Sequence, residues 1–296
     1  MEFRVILRGA LSGLIAGVLG FAFARIFAEP IVQQAIDYES GRDAILDKLN
    51  KAAGLPGVAD GPEIFSRSIQ STVGIATGII AFSVGMGLLL SVAYLVLHGR
   101  FGIRPRTVAL LLAGFGFFGM YLLPSLKYPA NPPAIGHDFT IATRGALYLT
   151  MVGGSLIMLA AAAYLGYRLR GRFGVFGASL LAAAAFVAGY SILAGVLPSL
   201  GNLAANVAHQ HDFGYARAAT ETPQPITDQS GAIVYPGFSA DLLWRFRLYS
   251  IINQMIIWTA SGLIFSVLLE RVLGTHRAPA KAQAAQPGPA RQPIGA

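Results

Sequence analysis

The 296-residue chain contains no cysteine, which excludes disulfides, thiolate metal centres and cysteine nucleophiles together. Charge is scarce as well. Only 12% of residues are Asp, Glu, Lys or Arg, about half of the ~25% typical of a soluble domain. There is no Gly-x4-Gly-Lys-Ser/Thr loop, no HExxH and no GxSxG. ATPase, zinc-protease and serine-hydrolase chemistry therefore have no frame here, the chain does not read as an enzyme, and no resident cofactor is called for. Acidic and basic residues are also missing from the middle of every long apolar run, which removes the buried carboxylate that proton-coupled carriers usually keep.

The chain is instead rich in hydrophobic residues, at 54%, arranged in long runs. Six of them, Val5–Ala28, Ser71–Leu97, Thr107–Leu126, Ala146–Arg168, Val175–Pro198 and Tyr249–Val272, are about 20–27 residues long, enough to cross ~30 Å of hydrocarbon. The reading is an all-α integral membrane protein: residues 1–273 form a domain of six transmembrane helices arranged as three hairpins, and 274–296, rich in Ala, Pro and Gln, form a disordered tail. The first run has basic residues ahead of it but no clear cleavage site, so it reads as a retained helix. Gly9, Gly13 and Gly17, and likewise Gly74 with Gly78, are spaced to offer flat faces for close helix packing. Residues 30–53 form an outer amphipathic helix, with Ile31, Ala35, Ile45, Leu46 and Leu49 on one side and Gly54 as its stop.

The formal charge of +8 would point to nucleic acid in a soluble protein. Here its distribution sets orientation instead. Both ends and the short turns 98–106 and 169–174, with the adjoining Arg168, gather 12 basic residues against Glu2 and Glu270, while the loops 29–70, 127–145 and 199–248, with Arg25 just before the first, hold 10 basic residues against 12 acids. Positive charge stays on the cytoplasmic side, so both termini lie there and the three long loops lie outside. No nucleic-acid partner is expected; the bilayer is the partner.

Short strings recur in nearly one register. Leu123-Pro124-Ser125-Leu126 returns as Leu197-Pro198-Ser199-Leu200, His137-Asp138-Phe139 as His211-Asp212-Phe213, and Gly99-Arg100-Phe101-Gly102-Ile103 as Gly171-Arg172-Phe173-Gly174-Val175. They predict an internal repeat of hairpins two and three about an axis normal to the membrane.

Only five histidines are present. His98 and His276 lie on the inner side. The others sit outside beside carboxylates: His137 with Asp138, and His209 and His211 with Asp212. Imidazole with carboxylate suits borderline divalent ions; ordinary polar loop content is the competing explanation. Asn253 and Gln254 are the most polar pair within a span.

The stretch Leu123-Pro124-Ser125-Leu126-Lys127-Tyr128-Pro129-Ala130-Asn131-Pro132-Pro133-Ala134-Ile135-Gly136, followed by Arg144-Gly145-Ala146-Leu147-Tyr148, resembles the signature of the CbtA family of cobalt transporter subunits. The stretch Pro236–Leu248, with Asp241, Arg245 and Arg247, resembles that family's second motif, and the likeness runs over nearly the whole chain. The resemblance implies Co²⁺ as substrate, uptake across a bacterial cytoplasmic membrane, and a small histidine-bearing membrane protein, CbtB, as partner; homo-oligomers are a further expectation. Five spans are usual for the family, against the six read here. The outer His137, Asp138, His209, His211 and Asp212 would then capture the ion. A membrane scaffold or assembly protein is the alternative function.

Overall fold

The computed structural model describes residues 2–57, 65–100, 102–212, 215–228 and 230–273. The tail 274–296 and its His276 lie outside the described residues, as do Phe101 and Phe213 of the repeated strings. Helix α1 (Glu2–Ala52) is followed by α2 (Arg67–Leu97) and α3 (Pro105–Lys127). A long helical stretch, Ile141–Val196, breaks at Gly174 into α4 (141–173) and α5 (175–196). A short α6 (Ala204–Ala208), a two-stranded hairpin of β1 (Ile226–Thr227) and β2 (Ile233–Tyr235), and the last helix α7 (Ala240–Leu273) complete the order. Five helices, counting the stretch through Gly174 as one, are long and apolar enough to cross a membrane.

That stretch reverses on itself. Gly174 has φ +68° and ψ 176°, a conformation that costs an L-residue with a Cβ and so favours glycine. Beyond it the chain runs back along α4: Gly166 meets Ala182, Met158 meets Gly189, and Gly154 meets Leu193, the falling-and-rising register of an antiparallel pair. The expected turn 169–174 is thus a single non-helical residue, because helical hydrogen bonding continues up to Gly174. Its counterpart in the repeat, Gly102, has φ +62°. The other repeated string diverges: Leu123–Lys127 is helical whereas Leu197 ends a helix and Leu200–Asn202 forms a 3-10 turn.

Helices also begin earlier than the apolar runs do. The last starts at Ala240 and the fourth at Ile141, not at residues 249 and 146, since hydrogen bonding in a helix does not stop where the lipid does. Likewise, the polar segment Glu29–Ala52 is not a separate element but continues the first span through a π-helical turn at Ala24–Ala28. Gly54, at φ +71°, follows its end as expected. Similar π turns occur in α2 at Gln70–Gly74 and in α3 at Phe117–Leu122.

Helices α1, α2, α3 and α7 share one core: Val5, Leu90, Tyr94, Ala109, Trp258 and Phe265 are all buried within it. α1 and α2 touch backbone to backbone. A Cβ on Gly9 or Gly87 would run into the other's carbonyl oxygen, and one on Gly13 into that of Ser83. The expected glycine face of α1 is therefore used. That of α2 is not, for a Cβ on Gly78 would meet nothing within 4 Å; Ser83, Gly87 and Ser91 form the contact instead. The α4–α5 pair stands to the side. Only 6% of its most apolar window is buried, against 28–39% in the other four helices.

Candidate functional site: a cleft and its cap

The segment after α3 carries three prolines within residues 129–133, preceded by Tyr128. Prolines fix φ and lack an amide donor, so this segment is stiff and must be anchored by its other groups. Tyr128 is buried and its hydroxyl donates to the Pro198 carbonyl at 2.8 Å; Lys127 Nζ lies 5.8 Å from the Tyr128 ring centre. Asn131 Nδ2 donates to the Thr220 carbonyl at 2.7 Å, and Asn131 Oδ1 accepts from Arg247 Nη2 at 3.0 Å. Arg247 Nε also donates to the Ala130 carbonyl. The two family-motif stretches thus meet through one guanidinium. Pro132 is buried and Pro133 exposed, as are Asp241 and Arg245 on the first turns of α7.

The centre of the cap is a residue that the sequence did not single out. Glu221 is 1% exposed. Its carboxylate accepts from Asn206 Nδ2 at 2.6 Å, from Thr140 Oγ1 at 2.9 Å and from the His137 backbone N–H at 3.2 Å. Arg144 Nη1 forms an ion pair with it at 3.4 Å. A buried charge persists only where such partners surround it. Glu221 has φ +55°, so the surrounding contacts hold a backbone conformation that a side-chain-bearing residue rarely adopts. No periodicity marks a lone glutamate in a polar loop. The only sequence hint was Arg144, its partner, within the family motif.

The histidines attach to this hub from two sides. Asn206 uses Nδ2 for Leu200 and Glu221, which turns its Oδ1 to His137 Nδ1 at 2.9 Å. His137 therefore donates through Nδ1. His209 Nδ1 is 2.6 Å from Asp212 Oδ2, the carboxylate–imidazole arrangement that orients metal-binding histidines. The Phe139 ring stacks on both, at 5.2 Å from His137 and 4.3 Å from His209. His211, Asp212 and Asp138 are exposed. Among the described residues, no three His, Cys, Asp or Glu gather into a group that could hold a metal ion.

Beneath the cap lies a cleft of about 910 Å³. Its rim is the stiff segment from Pro129 to Gly136 with Asp138, and its wall includes Arg144 and Tyr148. Its floor is Tyr121 of α3 with Ser250, Asn253 and Gln254 of α7. A second acidic group stands near the rim. Burial, together with Asp43 and Asp138, pushes the Glu39 carboxyl up to about 7, in the polar part of α1 beyond the apolar run.

Among known families, the one described as "Probable cobalt transporter subunit (CbtA)" matches residues 2–270. No curated protein and no solved structure gives a significant match.

Proposed function

The chain belongs to the CbtA family of probable cobalt transporter subunits, and from that premise we propose that it forms the membrane path of a cobalt uptake system. It is a membrane-embedded transporter subunit and not an enzyme. In the proposed topology α1, α2, α3, α4, α5 and α7 each cross once, with the reversal at Gly174 on the cytoplasmic side and both termini there. The basic residues clustered at 98–106 and 168–172 support this orientation, as does the antiparallel register of α4 and α5. Alkaline phosphatase fused within 127–145 should be active and within 98–106 inactive; the reverse pattern would sink the topology.

The cleft carries the functional reading. Its rim holds Asp138 with His137 next to it, and its floor reaches amide side chains inside the bundle. Outer His137, Asp138, His209, His211 and Asp212 meet Co²⁺ as substrate, and the loops' excess of acids favours cations at the mouth. Since no group of three ligands forms within the described chain, a second component completes the coordination. A small histidine-bearing membrane protein of the CbtB kind, or a second copy of this chain, fits that need.

The test is uptake of radiolabelled cobalt by metal-starved cells with and without the gene, and with His137→Ala and His209→Ala. The gene should raise uptake, and each substitution should raise the cobalt concentration for half-maximal uptake about 10-fold or more, the range for lost metal-site contacts. Equal uptake with and without the gene would leave the scaffold reading in its place.

A further inference from the structure

The last helix carries a line of polar atoms that the apolar bundle leaves unpaired. Asn253 Oδ1, Gln254 Oε1, Trp258 Nε1 and Ser261 Oγ are all buried and have no hydrogen-bond partner among the described residues. Gln254, Trp258 and Ser261 follow at i, i+4 and i+7, which is one face of a helix. Ser250, one turn earlier on that face, lines the cleft with Gln254. An unpaired polar atom away from water is unfavourable, and hydrocarbon offers it nothing. Four along one helix, continuing from the floor of a cleft, point to a guest that supplies the hydrogen bonds.

The facing helix is shaped to match. α3 makes its π turn at Phe117–Leu122, and Tyr121 from that turn lines the cleft opposite α7. Just before it, Gly116 forms a hollow for the Trp258 indole: any Cβ there would run into the ring. Trp258 is 5% exposed and packs in the core with Phe265 and Tyr94. Below Gln254 the line is therefore closed by one aromatic ring seated on a glycine.

We propose that a hydrated divalent cation crosses the bundle along this face of α7, from Ser250 and Gln254 past Ser261, with Trp258 in the Gly116 hollow as the closure. The proposal deepens the transport reading and rests on it. The donor chemistry sets the form of the cargo. An indole N–H can only donate, so it meets water and not the metal. Neutral amide and hydroxyl oxygens replace a hydration shell poorly, but they let an ion leave, which passage requires. A carboxylate at this depth would hold it.

Because the chain has no cysteine, single cysteines can be read without background. Leu263 lies on the opposite face of α7 and is 47% exposed, facing lipid. In intact cells a membrane-impermeant, positively charged methanethiosulfonate should modify Ser250→Cys and Gln254→Cys at least about tenfold faster than Leu263→Cys, the factor one unit of thiol pKa alone produces. Gln254→Leu should lower cobalt uptake about tenfold or more while its detergent elution profile stays that of the parent, as expected for loss of a pore-lining contact. Gly116→Ala, which displaces the ring, should raise passive cobalt entry. Gln254→Cys reacting no faster than Leu263→Cys, or Gln254→Leu with full uptake, overturns the path. If the parent carries no cobalt yet the labelling pattern holds, the transport reading fails and the hydrated path stands. If the parent carries cobalt and the labelling pattern is absent, the path fails and the transport reading stands.

Discussion

The cap and the membrane bundle hold together by opposite means. In the cap, order comes from charge and hydrogen bonds converging on Glu221, Asn131 and Arg247. In the bundle, order comes from backbones that touch because nothing projects between them, at Gly9, Gly13, Ser83 and Gly87. Lipid supplies no hydrophobic force between helices, so close packing carries the association. Outside the lipid, water competes for every polar group, and only a buried network gains from them. The difference teaches where the chain tolerates change: the bundle is sensitive to volume and the cap to charge.

The largest expected effect tests volume. Gly13→Leu should abolish the single elution peak of the protein in detergent, because its side chain must enter the Ser83 backbone and overpacked cores rearrange. Gly78→Leu, with nothing within 4 Å, should leave the peak unchanged. Equal damage from both would erase the distinction between the two faces of α2.

Next comes charge. Glu221→Ala leaves Arg144 and three donors without their acceptor, and breaking a buried pair costs about 3–5 kcal/mol. Thermal unfolding in detergent should fall by roughly 6–20 °C, at 2–4 °C for each kcal/mol in a chain of this size. Limited proteolysis should then cut the 199–239 connection before any helix. A variant that melts with the parent would mean that the cap is not held by its carboxylate.

The smallest effect concerns pH. The Glu39 carboxyl, pushed up to about 7 by burial and then by Asp43 and Asp138, binds its proton more tightly folded than unfolded. Its contribution is full below its ordinary pKa of 4.5 and is lost as pH rises through about 7. Glu39 is only half-buried, so solvent screens much of the shift, and between pH 5 and 8 the parent should lose a few degrees of melting temperature relative to Glu39→Gln, roughly 2–4 °C. Parallel melting curves for the two proteins would remove the carboxyl from the pH response.

These regions were also unequally legible in the sequence. Apolar length and the glycine spacing of α1 announced the bundle, because both are periodic properties of one segment. The partner face of α2 was misplaced, since Gly74 and Gly78 have the right spacing but only contact decides which side of a helix is used. The reversal at Gly174 was legible as a basic, glycine-bearing turn, though not its tightness. The proline-rich segment and Arg144 stood out as family motifs. Glu221 did not, for its burial arises from groups 15 to 84 positions away in the chain, and no local pattern encodes that.

The unbroken helix from Glu2 to Ala52 makes the cap and the bundle mechanically one body. Tyr38 bonds to Pro236 and Tyr235 in the cap, while Gly13 bears on α2 deep in the bundle. At 1.5 Å per residue these anchor points are about 38 Å apart. A rod of that length turns a tilt of about 5° at one end into roughly 3 Å of travel at the other, more than the close glycine contacts can absorb by side-chain adjustment. Anything that pulls on the loops bound to Tyr38 therefore levers the buried helix pair directly.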